Sequence, residues 1–305
     1  MKQPRAPNGL ADRVKLRSCE RPEARGGRIP DVFDRRATKG RDANARFRDG
    51  SQTVRCSGPM ERWKNALALV AILFVASALA RQPQVPRLSA IIKGGKGPPT
   101  IVLLHGYGAA ESDWVPFTKS IRHRASARFI FPRGPETAAR SDGAANGRAW
   151  WHLELAPHMR KDALGADLSG EKPVGIEDAA RAVRALLSRQ GNLAARPFIL
   201  GGFSQGAMVA AQVAFLSHEP LRALVLLSGT VVNESLWKTH YARRRGLRVF
   251  MSHGRADPTL SFEVADRMRK SMTAAGIQVT WFPFEGGHEI PAKVVVALNA
   301  FFARL

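Results

Sequence analysis

Residues 197–206 read Pro197-Phe198-Ile199-Leu200-Gly201-Gly202-Phe203-Ser204-Gln205-Gly206. An apolar run suited to a strand gives way to glycines, and from residue 205 to 218 the pattern turns helical. The chain must therefore swing sharply from strand into helix at Ser204. Gly202 and Gly206 carry no Cβ, so the turn can tighten and the helix can approach neighbouring strands. Ser204 stands at the tip of a G-x-S-x-G pattern, with the amide of Gln205 aimed where an oxyanion would form. A glycine-rich surface turn would show the same letters. The strand-to-helix setting and the residues downstream argue against it.

A serine hydroxyl is a weak nucleophile at neutral pH and needs a base and a carboxylate. In strand-turn-helix sites of this kind the chain order is Ser, then Asp or Glu, then His. Four histidines follow Ser204: His218, His240, His253 and His288. His218 ends the helix after the turn, His240 lies in a basic helical stretch, and His253 closes the strand at 247–251. His288 sits in Glu285-Gly286-Gly287-His288, after the strand at 279–284. A base on such a glycine-rich loop can reach across the top of a sheet, so His288 is the expected base. The carboxylate should follow a strand between Ser204 and His288. Asp257 fits, in His253-Gly254-Arg255-Ala256-Asp257-Pro258. An Asp before Pro can also be a plain turn former. Glu263 and Asp266 belong to the helical pattern at 261–275 and read as solvated charges. The second oxyanion donor should come from the loop after an early strand. Residues 100–104 are an apolar run suited to a strand buried on both faces. They lead into His105-Gly106-Tyr107-Gly108, where the glycines let the backbone aim the Tyr107 amide inward.

Leu103-Leu104-His105-Gly106-Tyr107-Gly108, Gly202-Phe203-Ser204-Gln205-Gly206, His253-Gly254 with Asp257-Pro258, and Gly287-His288 resemble the phospholipase/carboxylesterase family of α/β-hydrolases. That family includes bacterial carboxylesterases, lysophospholipases and acyl-protein thioesterases. The resemblance spans residues 87–305. It implies an α/β-hydrolase fold, with a mostly parallel central sheet flanked by helices on both faces. It also implies Ser204 as nucleophile, Asp257 and His288 as its partners, and the amides of Tyr107 and Gln205 as the oxyanion hole. Gly106, Gly202 and Gly206 are then the loop and elbow glycines. Two departures bear on substrate identity rather than chemistry. Ala207 follows the elbow where many relatives have Gly, and the polar stretch 134–175, with Trp150-Trp151-His152, is unlike the family.

After Arg87 strand and helix patterns alternate. Strands are expected near 89–93, 100–104, 128–131, 197–201, 223–227, 248–252 and 279–284, and helices near 176–189, 205–218, 262–275 and 291–304. Such alternation argues a mostly parallel sheet covered on both faces, with the candidate residues at strand C-terminal ends. The expected activity is hydrolysis of carboxylic esters or thioesters through an acyl-enzyme, on a small-molecule or lipid-like substrate. A peptidase or amidase on the same fold, and a non-catalytic binding module, are the competing readings. The intact order of Ser, Asp and His argues against the module. No cofactor is expected. His152 and His158 are six apart without a Cys or carboxylate pattern around them, so no metal site is expected either.

The chain carries a net charge of +22. Residues 1–59 hold 15 basic and 7 acidic groups, so the remainder is also strongly basic. Its Arg and Lys are dispersed over helices, and no nucleic-acid module is recognisable. Most of this charge reads as a solvated face, with a weak attraction to anionic lipid or polysaccharide as the alternative.

Residues 1–59 are rich in Arg, Pro, Gly and Asp, too poor in apolar residues to offset ordering entropy, and are expected to be disordered. Met60-Glu61-Arg62-Trp63-Lys64-Asn65 then leads into an apolar run of 15 residues, 66–80, which ends Ala78-Leu79-Ala80. A charged start, a short apolar centre and a small-residue end describe an export signal. Residues 60–80 are thus read as a signal peptide, with translation starting at Met60, and residues 81–305 as the catalytic domain of a periplasmic or secreted protein. The alternative is a basic tail before an uncleaved anchor, although the run is short against the roughly 20 residues a span needs. Both cysteines, Cys19 and Cys56, lie upstream of Met60. N-terminal sequencing of protein from its host should find Arg81 first. A mature species that retained residues 66–80 and pelleted with membranes would refute cleavage.

Overall fold

Strands form where unbroken apolar runs meet β-branched residues, and seven of them build one sheet. The computed structural model describes residues 85–122, 126–140, 143, 145–159, 161, 163–190 and 196–305. The expected disordered segment, signal peptide and both cysteines lie outside the described residues. In chain order the strands are β1 (Ala90–Gly94), β2 (Gly97–Leu104), β3 (Ala127–Pro132), β4 (Glu136–Thr137), β5 (Arg148–Ala149), β6 (Phe198–Phe203), β7 (Leu221–Leu227), β8 (Arg248–Gly254) and β9 (Gln278–Phe284). The main sheet runs β1-β3-β2-β6-β7-β8-β9, and β4 pairs with β5 alone. β1 is antiparallel to β3. Every other neighbour in the main sheet is parallel.

Among the described residues, the helices of eight residues or more are α1 (Ile176–Arg189), α2 (Gln205–Leu216), α3 (Glu234–Tyr241), α4 (Phe262–Ala274) and α5 (Ala292–Phe302), and a single short turn of helix covers Phe117–Ser120. Alternate strand residues point to opposite faces of the sheet, and the core divides accordingly. Val102, Leu104, Leu200, Leu224, Val249 and Met251 pack with Val183 of α1, Met208 of α2, Trp237 of α3 and Met268 of α4. Ile101, Leu103, Ile199, Val225 and Phe250 pack with Trp114, Ile121 and the α5 residues Val294, Leu298 and Phe301. α2 is the most enclosed helix, buried from Gln205 to Phe215. Its sequence is apolar all round, as a helix with no solvent face requires.

This is the α/β-hydrolase fold expected from the sequence. The seven expected strands and four expected helices are all present within a few residues. The stretch around His240, legible only as basic and helical, is α3, anchored by Trp237 and Tyr241 one turn apart. The β4–β5 pair was not legible, because two residues per strand show no period.

The start of α2 lies directly against the end of β2. A Cβ on Gly206 would sit 2.2 Å from the Leu104 carbonyl oxygen and 2.5 Å from that of His105. A Cβ on Gly202 would sit 2.4 Å from the Gly206 carbonyl carbon. These neighbours are backbone and cannot swing aside. Ala favours a helix over Gly by about 1 kcal/mol, but the clash outweighs it. Gly206→Ala is therefore expected to destabilise the protein by about 1–3 kcal/mol, read as a lower denaturant midpoint at unchanged slope. An unchanged or raised midpoint would mean that the two backbones are not in contact.

Candidate active site

Ser204 lies between β6 and α2 with φ 53° and ψ −121°. Its N–H donates to the Leu227 carbonyl at 2.9 Å, and its own carbonyl accepts from Ala207 N at 3.0 Å. Side chains other than glycine's rarely adopt this backbone conformation, so the turn stores strain. Ser204 is 7% exposed, at the floor of a cleft of about 700 Å³. Gly106, Tyr107, Phe203, Leu260 and His288 line the same cleft.

Asp257, in the turn after β8, is buried, with 1% exposure. Its Oδ1 accepts from the amides of Thr259 at 2.8 Å and Leu260 at 3.0 Å. Its Oδ2 accepts from His288 Nδ1 at 2.7 Å and lies 3.2 Å from His253 Nε2. Burial alone would raise the carboxyl pKa. The hydrogen bonds from His253 and His288, the attraction of His288 and the Leu260 amide outweigh it and hold the group below the ordinary carboxylate range. Asp257 is therefore an anion at neutral pH. With its proton on Nδ1, facing Asp257, His288 turns Nε2 toward the cleft. Its ring packs on Phe203 with centroids 4.8 Å apart. Among the described residues, the Ser204 and His288 side chains share the cleft without a direct hydrogen bond, a contact that often tightens only when substrate binds.

Of the two expected oxyanion donors, Tyr107 lines the cleft and Gln205 directly follows Ser204. Gln205 is the first residue of α2, so its amide has no carbonyl partner inside the helix. Tyr107 follows β2, and its loop is tied down by Gly108 N to Arg148 O at 2.8 Å and by Arg148 N to Ala109 O at 2.8 Å. Arg148 is braced in turn by bonds to the carbonyls of Gly134 and Pro135.

The sequence reading missed what holds this loop. His105 is buried, and burial pushes its pKa down, which keeps the ring neutral. Its Nδ1 donates to the Gly106 carbonyl at 2.8 Å, and its Nε2 accepts from Gly134 N at 3.0 Å. The Trp150 ring stacks on it, centroids 5.2 Å apart, and donates from Nε1 to the His105 carbonyl at 2.9 Å. The Gln205 side chain accepts from Trp150 N at 2.9 Å and donates to the Trp151 carbonyl at 2.8 Å. Thus Trp150 and Trp151, conspicuous in a polar stretch, bind that stretch to His105 at the end of β2 and to Gln205 at the start of α2. Leu153 and Leu155 beyond them line the cleft, as do Asp113 and Arg140, an ion pair at 3.0 Å.

Other candidates fall elsewhere. His240 bonds the Leu236 carbonyl on α3, and Asp266 pairs with Arg269 and Lys270 on α4. Among the described residues, no group of three His, Cys, Asp or Glu could hold a metal ion, and His152 pairs with Glu154 at 3.2 Å. A second hollow of about 750 Å³, near Pro98, Ile199, Arg222 and Phe302, has no serine, histidine or acidic side chain in its lining.

A family model described as phospholipase/carboxylesterase matches residues 88–305. Acyl-protein thioesterase 1 of Yarrowia lipolytica is 22% identical over 195 residues, which is 61% of this chain and 82% of that protein. Acyl-protein thioesterase 1 of Saccharomyces cerevisiae is 28% identical over 173 residues, 53% of this chain and 71% of that protein. The crystal structure of esterase PE8 superposes with a TM-score of 0.59 at 24% identity, covering 72% of this chain and 99% of that one. That of acyl-protein thioesterase 2 from Zea mays gives 0.56 at 22% identity, covering 71% and 98%. At these identities the two crystal structures speak to the fold.

The strain at Ser204 is measurable apart from any chemistry. A residue other than glycine in such a conformation costs on the order of 1–3 kcal/mol, against about 0.5–1 kcal/mol of extra chain entropy for glycine. Ser204→Gly should therefore unfold at higher denaturant than Ser204→Ala, by about 1 kcal/mol. Equal midpoints, or a more stable Ala variant, would mean that the turn is relaxed.

Proposed function

The chain belongs to the phospholipase/carboxylesterase family, and from that premise we propose that this hydrolase cleaves carboxylic esters or thioesters with Ser204 as nucleophile, His288 as general base and acid, and Asp257 as its orienting carboxylate. The observation that carries this reading is the 2.7 Å bond from His288 Nδ1 to a buried Asp257, on a histidine that shares its cleft with Ser204. The carboxylate fixes the imidazole tautomer, so Nε2 is the atom that takes the Ser204 proton as Oγ attacks the substrate carbonyl. The imidazolium that forms is stabilised by the Asp257 anion. Negative charge on the former carbonyl oxygen is held by the amides of Tyr107 and Gln205. His288 then returns the proton to the departing alcohol or thiol, leaving an acyl-enzyme, and activates water for the second half of the cycle.

Leu153, Leu155, Leu260 and Phe203 give the cleft an apolar lining suited to an acyl chain. The Asp113–Arg140 pair adds charge to the same lining, suited to a polar leaving group. The relatives named acyl-protein thioesterase support the thioester half of the proposal.

A fluorophosphonate probe should label the protein once, at Ser204, and replacing His288 should suppress labelling far more than replacing His253. Across p-nitrophenyl esters from acetate to palmitate the parent should turn over at least one chain length. Ser204→Ala should lose at least about 10⁴-fold in kcat while unfolding cooperatively. Near-parental turnover in the Ala variant would remove Ser204 from the role.

A further inference from the structure

We propose that His253 is a positioning residue for this reaction: from the end of β8, its Nε2–H holds the Asp257 carboxylate in the orientation that His288 needs. The proposal rests on the reading of Ser204, Asp257 and His288 just given.

His253 is completely buried. Its Nε2 lies 2.9 Å from the Leu260 carbonyl and 3.2 Å from Asp257 Oδ2, whereas its buried Nδ1 has no hydrogen-bond partner among the described residues. A neutral imidazole has one N–H. Two acceptors face Nε2, so the proton sits on Nε2 and Nδ1 keeps a buried lone pair. Leaving an acceptor there is unfavourable, and an apolar side chain of similar volume would avoid it. What histidine supplies at this position is the shared donor on Nε2.

That donor completes the carboxylate. Oδ1 is held by the amides of Thr259 and Leu260 and Oδ2 by His288, while the His253 Nε2 that bonds the Leu260 carbonyl lies 3.2 Å from Oδ2. Both rotation of the carboxylate and its drift toward His288 are then opposed. The same N–H engages the Leu260 carbonyl, while the Leu260 amide engages Oδ1, which closes the 257–260 turn on itself. Leu260 also lines the cleft. His253 therefore ties the carboxylate and one part of the cleft wall to the end of β8. Phe262 covers its ring edge-on at 6.2 Å, under the Arg255 guanidinium.

The test compares His253→Gln, whose side-chain amide can carry an N–H to the same place, with His253→Met, which fills the volume without a donor. Kinetics on a p-nitrophenyl ester, thermal melts, and the low-field proton resonance of the His288–Asp257 hydrogen bond are measured on each. In the Met variant kcat should fall about tenfold with KM within about twofold, and the low-field proton should shift or broaden. The Gln variant should stay within about threefold of the parental kcat and keep the resonance. Parental kcat and resonance in the Met variant, an effect on KM alone, or an equal loss in both variants would overturn the proposal. Should the Met variant fail to fold, the Gln variant decides: a parental resonance and kcat support it, and loss of either overturns it. A parent without esterase activity still shows whether the resonance depends on His253, so the hydrogen-bond proposal and the ester reading fail separately.

Discussion

The cleft depends on backbone touching backbone. The first turn of α2 lies so close to the end of β2 that a single Cβ at Gly206 would meet two carbonyl oxygens. That approach sets the first turn of α2, with Gln205, against the backbone that leads into Tyr107. It also leaves Ser204 no relaxed conformation, because the chain must leave β6 and enter α2 within one residue. The all-round burial of α2 follows, since a helix pressed into the sheet on one side and into α1 and α3 on the other has no solvent face to spare. Stability taken from that burial offsets the strain held at its first turn.

Three histidines around the cleft show how environment divides one side chain into different duties. His105 is buried with both nitrogens engaged, and its neutral ring is a structural spacer between β2 and Trp150. His253 is equally buried but has only one nitrogen engaged. His288 alone reaches the cleft, with a side chain 16% exposed on a glycine-rich loop. Asp257 connects the last two. Its depressed pKa means that its contribution to stability is fully present above the ordinary carboxylate range and is lost only as pH falls through the lower, folded-state value.

Much of this was legible beforehand because it is local in sequence. The glycines at 202 and 206 and the apolar runs of β2, β6, β7 and β8 are patterns read over a few residues, and Ser204, Asp257 and His288 each stand in a short pattern of that kind. What escaped was non-local. The bonds from Gln205 to Trp150 and Trp151 span more than fifty positions, and no periodicity announces them. The sequence singles out the amide of Gln205 and is silent on its side chain, which holds a distant loop. The burial of His253 beside Asp257 likewise depends on how the 257–260 turn folds back, which four turn-forming residues do not specify.

The loop between those anchors has a further consequence. It is fastened at one end by Arg148, Trp150 and Trp151, and at the other by Ala166, which bonds Thr259 and Ser261 across a single bridge to Leu260. Among the described residues between the two fastenings, Leu153 and Leu155 line the cleft, and Gly165 packs against the Asp257 turn, where an added Cβ would sit 2.9 Å from the Asp257 carbonyl oxygen. A change at Leu153 or Leu155 therefore alters the cleft wall itself, whereas Gly165 and Ala166 are held by contacts to the backbone of the turn that carries Asp257, and the two tryptophans by bonds to His105 and Gln205.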